Sequence, residues 1–302
     1  MFRFKRRWMV FLGGVALIVA SLFILWQSAI TKNRQVPIGP FRIAGNLYYV
    51  GTTNVSSFLL TGPEGYVLID GDYPETAPMI IRSIAKLGFN ITDVKILLNT
   101  HAHPDHAGGL AALKKASGAE LWASRADVDV LEAGGHGDPS FGPLKFVQFL
   151  GLGTFPPVHV DHRFDDGDTV RLGPIELTAH ITAGHTPGCT SWSFYVQDGN
   201  RKLLAVDIGS LTLMPFASLV EPETYPGIRN DYEHSFSTLR GLPADIFLAS
   251  HTNWFGLQRK LRARETAENP VDPFIDREGY LIFIDKSEQE FRKVLAEQQG
   301  DR

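Results

Sequence analysis

Short apolar runs separated by turn residues recur along the chain from about residue 41, and they predict β-strands. The run at 94–100 is typical of a strand buried inside a sheet. Glycine and proline at 61–65 predict a hairpin turn between two of the runs. The expected strands are 47–50, 57–60, 66–69, 94–100, 120–123, 169–183, 190–197, 202–208 and 245–250.

Stretches with helical spacing of apolar residues separate these strands. The expected helices are 77–87, 109–116, 231–240, 255–266 and a long final helix from about Ser287. Both halves of the chain supply strands and helices, which predicts two sheets packed face to face with helices outside. We therefore expect an α/β (α+β) fold, a four-layer αββα sandwich. The Gly- and Pro-rich stretch at 134–157 is either a flexible flap over a cleft or a disordered insertion.

The first thirty residues have a different pattern, which predicts an N-terminal hydrophobic helix. Basic residues precede an uncharged apolar stretch at 8–26, which as a helix comes close to crossing a hydrocarbon core of about 30 Å. The basic flank predicts a cytoplasmic N-terminus and export of the rest. We expect a signal peptide or, by preference, a membrane anchor at 1–30, a linker at 31–40 and a folded domain at 41–302. The protein is then periplasmic, either anchored through 8–26 or released by signal cleavage.

Composition narrows the function classes. The 44% hydrophobic content supports a substantial core, and the net charge of −4 gives no reason to expect nucleic acid as a partner. The basic cluster at 259–264 is expected to form the solvated face of a helix. The single cysteine, Cys189, excludes an internal disulfide and is expected to be a small packing residue.

Three imidazoles and one carboxylate fall within six residues, directly after the expected strand at 94–100. Each of these side chains binds transition metals, and together they outline most of a two-metal site on a loop at the end of a strand. Structural zinc sites more often use pairs of cysteines, and none lies nearby. The four candidate ligands are His101, His103, Asp105 and His106.

A complete site needs ligands from elsewhere in the chain. His185 lies in a turn made by Gly and Pro after a strand-like run, and His251 ends the expected strand at 245–250. Both repeat the layout of an apolar strand followed by a histidine. Three strand ends that carry ligands can converge on one edge of a sheet core.

With these residues the chain resembles the metallo-β-lactamase superfamily from about Phe41 to the C-terminal helix, and it is most like the subclass B3 metallo-β-lactamases. His-Xaa-His-Xaa-Asp-His is the metal signature of that superfamily when a later Gly-His and a final strand-end histidine accompany it. The finer similarities lie at 50–52, 183–192 and 232–236.

The resemblance implies a binuclear zinc site with two Zn2+ per chain. It assigns His101, His103 and His185 to a first zinc, and it assigns Asp105, His106 and His251 to a second. It also implies a zinc-dependent hydrolase in which domain 41–302 opens the β-lactam ring of penicillins, cephalosporins or carbapenems by attack of a metal-bound hydroxide. Asp105 is then also catalytic, because it can orient the nucleophile or pass a proton to the lactam nitrogen.

The chain departs from the subclass pattern after the strand at 202–208. Members commonly have Ser-Leu-Ser after Ala-Asp, whereas this chain has Ile208 in place of the first serine. Ser210 remains as a candidate donor to a substrate carboxylate. Asp207 is either a bridging metal ligand, as in thioesterase-like relatives, or a supporting residue, and we favour the second. Asp70 is expected to bond loop backbone beneath the site.

Other functions remain open from the sequence. A binuclear site can hydrolyse lactones or thioesters as well as lactams, and a fold does not name its substrate. The main alternative is therefore a lactonase or thioesterase of the same superfamily with Asp207 as a bridging ligand. A membrane-tethered zinc-binding protein without catalysis, or an iron-loaded redox relative, is a third possibility that the intact ligand set disfavours.

Overall fold

Two β-sheets form the centre of the structure, a computed structural model that describes residues 36–300. The strands of the first sheet, which follow one another in space as in sequence, are β1 (Phe41–Ala44), β2 (Leu47–Tyr49), β3 (Phe58–Gly62), β4 (Gly65–Ile69), β5 (Val94–Leu98), β6 (Glu120–Ser124) and β7 (His162–Phe164). Strands β1 to β4 pair antiparallel, and β4 to β7 pair parallel.

The second sheet has five strands in the order β12-β11-β10-β9-β8. These strands are β8 (Thr169–Leu172), β9 (Ile175–Ile181), β10 (Thr190–Asp198), β11 (Arg201–Ile208) and β12 (Ile246–Ala249). Strands β11 and β12 pair parallel, and the other pairs are antiparallel. The carboxyl ends of β5, β9 and β12 each lead into a segment that carries histidines.

Helices cover the outer face of each sheet. The α-helices of the described residues are α1 (Ala77–Lys86), α2 (Pro104–Ala107), α3 (Leu110–Ser117), α4 (Val128–Glu132), α5 (Ile228–Gly241), α6 (Leu257–Arg264) and α7 (Arg277–Gly300). Short 3-10 segments lie at Pro74–Thr76, Ile91–Asp93, Pro139–Leu150 and Asp272–Phe274.

Alternating side chains divide the apolar interior into two cores. In β3, Phe58 and Leu60 enter the core between the sheets, while Leu59 points to the opposite face. That opposite face packs against apolar residues of α1 and α3, such as Ile84 and Leu113. The core between the sheets continues onto residues of α5 and α7. This arrangement confirms the expected four-layer αββα sandwich.

The final helix begins ten residues before the expected start at Ser287. The backbone N–H of Gly279 donates to Asp276 Oδ1 at 3.0 Å, so that Asp276 caps the helix from Arg277 onward. Tyr280 and Ile284 are then buried at helical spacing on one face of α7. The prediction was wrong here because the apolar run at 280–284 interrupts the polar pattern expected at the start of an exposed helix.

The stretch at 134–157 is folded, so the disordered-insertion alternative was wrong. Its 3-10 segment carries Gln148, which is buried and donates through Nε2 to the carbonyl of Gly135 at 2.7 Å. The Gln148 Oε1 accepts from the Gly137 N–H at 2.9 Å. These hydrogen bonds join two parts of the stretch into a folded loop beside the carboxyl end of β5. The same segment therefore has the position expected of a flap.

The expected signal peptide or anchor at 1–30 and the first part of the linker lie outside the described residues. Within residues 36–300, no helix combines the length and the apolar composition needed to cross a membrane.

The basic cluster of α6 is not wholly solvated, because Lys260 is fully buried. Its Nζ lies 3.1 Å from Asp276 Oδ2 and donates to the carbonyl of Phe247 at 3.2 Å. The rings of Phe247, Phe255 and Phe274 surround the ammonium at 5.3 to 6.0 Å. Burial lowers the pKa of Lys260 from 10.5 to about 8 despite the charge of Asp276.

This burial gives a prediction for stability. Between about pH 8 and pH 10.5 the folded chain releases the Lys260 proton while the unfolded chain retains it, so the free energy of unfolding rises with pH. The rise from this one group is about 3 kcal/mol at most. Lys260→Met should flatten this rise in urea unfolding monitored by tryptophan fluorescence, whereas Lys115→Met, at an exposed lysine, should not. An unchanged slope in Lys260→Met would contradict the assignment.

Candidate metal centre

The end of β5 and the helical turn α2 bring four of the six candidate ligands together. After β5 the chain bends, and the N–H of His103 donates to the carbonyl of His101 at 3.0 Å. His103 has an extended backbone, and Pro104 then starts α2 at a position where a proline is favoured. This change of direction aims His101 and His103 to one side. Asp105 and His106, which lie on the first turn of α2, face a second group of ligands.

The first cluster consists of His101, His103 and His185. One nitrogen from each imidazole lies within 4.8 Å of the others, and His185 Nε2 is 3.1 Å from His103 Nδ1. The turn after β9 supplies His185, as expected from the sequence. The structure therefore brings together the three residues assigned to the first zinc.

The second cluster consists of Asp105, His106 and His251, whose ligand atoms also lie within 4.8 Å of one another. His106 Nε2 is 3.3 Å from His251 Nε2, and Asp105 Oδ2 is 3.5 Å from each of these nitrogens. The two clusters are neighbours, because the rings of His101 and His106 have centroids 4.1 Å apart.

The donor set fits zinc. Two nitrogens bonded to one tetrahedral zinc at about 2.0–2.1 Å are about 3.3 Å apart, which matches the two nitrogen pairs of the clusters. A metal ligand must also present a neutral imidazole with a free lone pair. Burial and the neighbouring histidines lower the pKa of His101 well below its usual value and that of His185 to about 3.

The outer nitrogen of each imidazole in the first cluster bonds to an oxygen, which fixes the lone pair that points inward. His101 Nδ1 lies 3.2 Å from Thr100 Oγ1, and His185 Nδ1 donates to the carbonyl of Thr212 at 2.8 Å. His103 is reversed: its Nε2 faces outward, and its Nδ1 belongs to the cluster. The oxygens that hold this Nε2 are Asp138 Oδ2 and Ser140 Oγ, both at 3.1 Å.

Asp70 supports the second cluster from below, as expected. Its carboxylate accepts from the backbone N–H of Thr100 at 2.7 Å and from the Thr100 hydroxyl at 2.6 Å. It also lies 3.1 Å from His106 Nδ1, so that His106 Nε2 is the nitrogen that faces His251. Burial opposes a charge on His106, but Asp105 and Asp70 outweigh it and raise the pKa of His106 to about 9.

Asp105 remains ionised in this environment. Burial disfavours its charged form, but His106, His251 and His103 outweigh that effect and lower the pKa of Asp105 to about 2. Its side chain is 23% exposed, in contrast to the fully buried His106. Asp105 is therefore an acceptor that a small molecule can reach from solvent.

At two positions of the segment at 183–192, neighbouring atoms lie so close to the backbone that only glycine fits. Gly184 has a φ of +137°, and a Cβ there would lie 2.7 Å from the ring of Tyr232. A Cβ on Gly188 would lie 2.2 Å from Asp127 Oδ1. Side chains at these positions would displace the turn that carries His185.

Ser210 and Asp207 lie close to the clusters but belong to neither within the described residues. Ser210 is fully buried, and its Oγ accepts from the Thr212 N–H at 3.3 Å and lies 3.1 Å from Thr212 Oγ1. Burial and the charge of Asp70 raise the pKa of Asp207 well above its usual value. Ile208 is buried in the core between the sheets. The substrate contact of Ser210 and the supporting role of Asp207 stay predictions.

Sequence reasoning missed three residues that bond the candidate metal-ligating histidines. Asp138 and Ser140 lie in the stretch at 134–157, whose composition gave no sign of a bond to His103. Thr212 acts through its backbone carbonyl, which also accepts from the Tyr232 hydroxyl at 2.7 Å. A carbonyl acceptor leaves no sequence signal. Tyr232, by contrast, belongs to the segment at 232–236 that carried the resemblance.

Asp138 gives a prediction that separates metal affinity from folding. Replacing its carboxylate in Asp138→Asn weakens the acceptor for His103 Nε2–H, and we expect zinc affinity of the first cluster to fall about 10- to 100-fold. Competition with a chromophoric chelator measures this affinity. Glu132→Gln is the matched control, because Glu132 bonds the exposed His159 at 2.8 Å away from the clusters. Equal affinities for both variants would contradict the role of Asp138.

Solved structures similar to this chain include two metallo-beta-lactamases. Native FEZ-1 from Legionella gormanii is 40% identical with a TM-score of 0.83, and the match covers 88% of this chain and 98% of that chain. BJP-1 of Bradyrhizobium japonicum, a subclass B3 metallo-beta-lactamase, is 36% identical with a TM-score of 0.80. The match covers 90% of this chain and 98% of that chain. These likenesses confirm the resemblance to subclass B3.

Curated relatives are described as hydroxyacylglutathione hydrolases. One from Jannaschia sp. is 31% identical over 46% of this chain and 42% of its own length. Another, from Rhodopseudomonas palustris, is 30% identical over 65% of this chain and 61% of its own length. The chain thus spans less than two thirds of the length of these relatives. The solved structures are named metallo-beta-lactamases and the curated relatives are named hydrolases, so with its two clusters the site is that of a metallo-hydrolase.

A family model described as the metallo-beta-lactamase superfamily matches residues 50–251. This range begins at the end of β2 and ends at His251, so it contains all six residues of the two clusters. It also contains both strand ends that carry the other histidines, and most of the two sheets. The chain belongs to the metallo-beta-lactamase superfamily.

Proposed function

We propose that the chain is a zinc-dependent β-lactamase that opens the ring of penicillins, cephalosporins or carbapenems. The observation that carries this proposal is the likeness to solved β-lactamases over nearly their whole length, at 40% identity for FEZ-1. The hydroxyacylglutathione hydrolases match over a smaller part of their length, at 42% and 61% for the two above. The two clusters supply the donor set that such a reaction needs.

The six candidate ligand residues would hold two zinc ions. His101, His103 and His185 would hold one ion, and the second cluster would hold the other. Zinc bound there supplies Lewis acidity, which lowers the pKa of water and polarises a carbonyl oxygen. Asp105 is the chain's own acid–base group: its ionised carboxylate can accept a hydrogen bond from water and so orient it. As the water attacks the carbonyl carbon, the carboxylate can take the proton that the water loses and pass it to the lactam nitrogen when the C–N bond breaks.

A serine nucleophile is not part of the proposal. Ser191 is buried, and its Oγ lies 2.8 Å from Thr182 Oγ1 between β9 and β10. Ser250 is also buried, and its hydroxyl donates to the carbonyl of Gly209. These bonds support the structural roles expected of both serines, since neither hydroxyl is free to attack a substrate.

Substrate recognition at Ser210 is proposed to include Thr212. The Ser210 hydroxyl is buried, while Thr212 is half-buried and its Oγ1 contacts Ser210 Oγ at 3.1 Å. A substrate carboxylate that approaches this loop would meet Thr212 first. Ile208 adds no polar group because it lies in the core.

The proposed export would bring the activity to the compartment where β-lactams act. The basic flank and apolar stretch at 8–26 support a periplasmic protein, either anchored or released, and a role in antibiotic resistance. The net charge of −4 supports a small-molecule substrate rather than nucleic acid.

A thioesterase is the second candidate, favoured by the curated relatives and by the burial of Asp207 near Asp70 and His106. In this alternative Asp207 is a bridging ligand. Asp207→Ala would then lose one equivalent of metal, whereas a supporting Asp207 leaves the metal content unchanged.

A substrate panel tests the proposal directly. We expect the full chain, loaded with zinc, to hydrolyse a chromogenic cephalosporin, a penicillin or a carbapenem, and to lose this activity with a chelator because the ligand imidazoles then hold no metal. A hydroxyacylglutathione thioester is the comparison substrate, followed by release of the thiol. Hydrolysis of the thioester without hydrolysis of any lactam would overturn the proposal and favour the alternative.

A further inference from the structure

Four large apolar side chains are exposed on one short segment beside the metal centre. Among the described residues, eight large hydrophobic side chains are exposed, and four of them lie at 144–150, here termed the apolar turn. Phe149 is 86% exposed, Leu150 74% and Phe146 57%. Burial of large apolar side chains is favourable, so a group of exposed ones marks a surface that binds something apolar.

The charge of this segment suits a lipid headgroup region. Residues 139–154 contain no aspartate or glutamate, and their only charged side chain is Lys145, which is exposed. Apolar side chains together with a basic residue and no acidic one suit the interface of an anionic bilayer, where buried apolar area and attraction to anionic lipid both contribute to binding. The lysine stem can extend along apolar surface while its ammonium reaches phosphate.

The apolar turn lies in the stretch whose Asp138 and Ser140 contact His103 of the first cluster. Gln148 is buried and fixes the inner face of the segment through Gly135 and Gly137. Earlier in the same stretch, the ring of Phe141 lies 6.2 Å from that of His103. Phe149 and Leu150 are exposed on this stretch, which borders the edge that carries the metal clusters.

The start of the described chain also lies near the metal clusters. The carbonyl of Val36 accepts from the Thr53 N–H at 3.0 Å, and the Thr53 carbonyl accepts from Thr252 Oγ1 at 2.6 Å. Thr252 follows the metal-cluster residue His251. The chain therefore enters the domain at the edge that carries the metal clusters.

The length of the preceding chain limits how far this edge can lie from a membrane. If 8–26 is the anchor, residues 27–35 join it to Val36, and nine residues span about 30 Å at most. The edge with the metal clusters is then tethered close to the bilayer surface, with the apolar turn on the same edge.

We propose that the apolar turn inserts into the interface of an anionic phospholipid bilayer, so that the metal-centre edge of the anchored domain faces the membrane. The proposal rests on the anchor at 8–26 and not on the identity of the hydrolysed bond. It assigns the exposed side chains to lipid rather than to substrate or to a second copy of the chain.

Site-specific fluorescence in vesicles tests this orientation. The only native cysteine, Cys189, is fully buried, so a cysteine placed on the surface can be labelled selectively with a nitrobenzoxadiazole probe. Phe149→Cys carries the probe in the apolar turn. Tyr195→Cys is the matched control: Tyr195 is 57% exposed on β10, five residues from Thr190, whose N–H bonds the Thr100 carbonyl beside the clusters. Labelling of the unmodified chain checks that Cys189 does not react.

The labelled full chains are reconstituted in phosphatidylglycerol-containing vesicles with and without doxyl-labelled lipid. We expect doxyl lipid to quench the Phe149→Cys probe by roughly half and to leave the Tyr195→Cys probe unchanged, because only the first lies in the interface. Equal quenching of both probes, or of neither, would overturn the proposal, as would failure of the full chain to float with vesicles.

Two further outcomes would assign the apolar turn differently. A blue shift of the Phe149→Cys probe on adding a β-lactam, without quenching by doxyl lipid, would show that the turn closes on substrate. A blue shift that grows with the protein-to-lipid ratio, again without lipid quenching, would show contact with a second copy. Either result would overturn the bilayer assignment.

Discussion

One buried carboxylate, that of Asp70, links the fold to the metal centre. It lies at the end of β4 and bonds the N–H and hydroxyl of Thr100 at the end of β5, as well as His106 of α2. A buried carboxylate is tolerated only when its oxygens are bonded, and these partners satisfy it. Asp70 itself has a φ of +62°, a conformation that non-glycine residues rarely adopt. The parallel pairing of β4 with β5 holds it there, and the direction of the His106 ring follows from that pairing.

Without a metal ion, the side chains of the two clusters are in an energetically unfavourable arrangement. Burial and mutual repulsion keep imidazoles such as His101 and His185 from carrying a charge, and a neutral ring lacks a partner for its inward lone pair. The sandwich nevertheless holds three strand ends together, with an oxygen behind each ring of the first cluster. Sites that violate the ordinary rules of core packing are expected where function requires them. A metal ion in each cluster would resolve the conflict, because it would accept the inward lone pairs of that cluster together.

The ligands and the sheets could be predicted because their signals are local. Segment 101–106 contains four ligands, and the apolar runs that precede His185 and His251 mark strand ends that a two-sheet core brings to one edge. The partners of the ligands could not be predicted, since Asp138 meets His103 and Thr212 meets His185 only through the folding of distant loops. The prediction that the basic cluster is solvated was wrong at Lys260 for a similar reason. Its spacing on α6 is that of an exposed face, but three phenylalanines from other elements and Asp276 enclose it.

The central claim is that six side chains hold two zinc ions in two neighbouring clusters. Zinc content per chain, measured by mass spectrometry after gel filtration, tests it most directly in the unmodified protein and in His185→Ala and His251→Ala. The account predicts two zinc ions in the unmodified chain and a loss of zinc from each variant, since each removes one ligand of a three-residue cluster. An unmodified chain with no zinc, or variants that retain two, would contradict it.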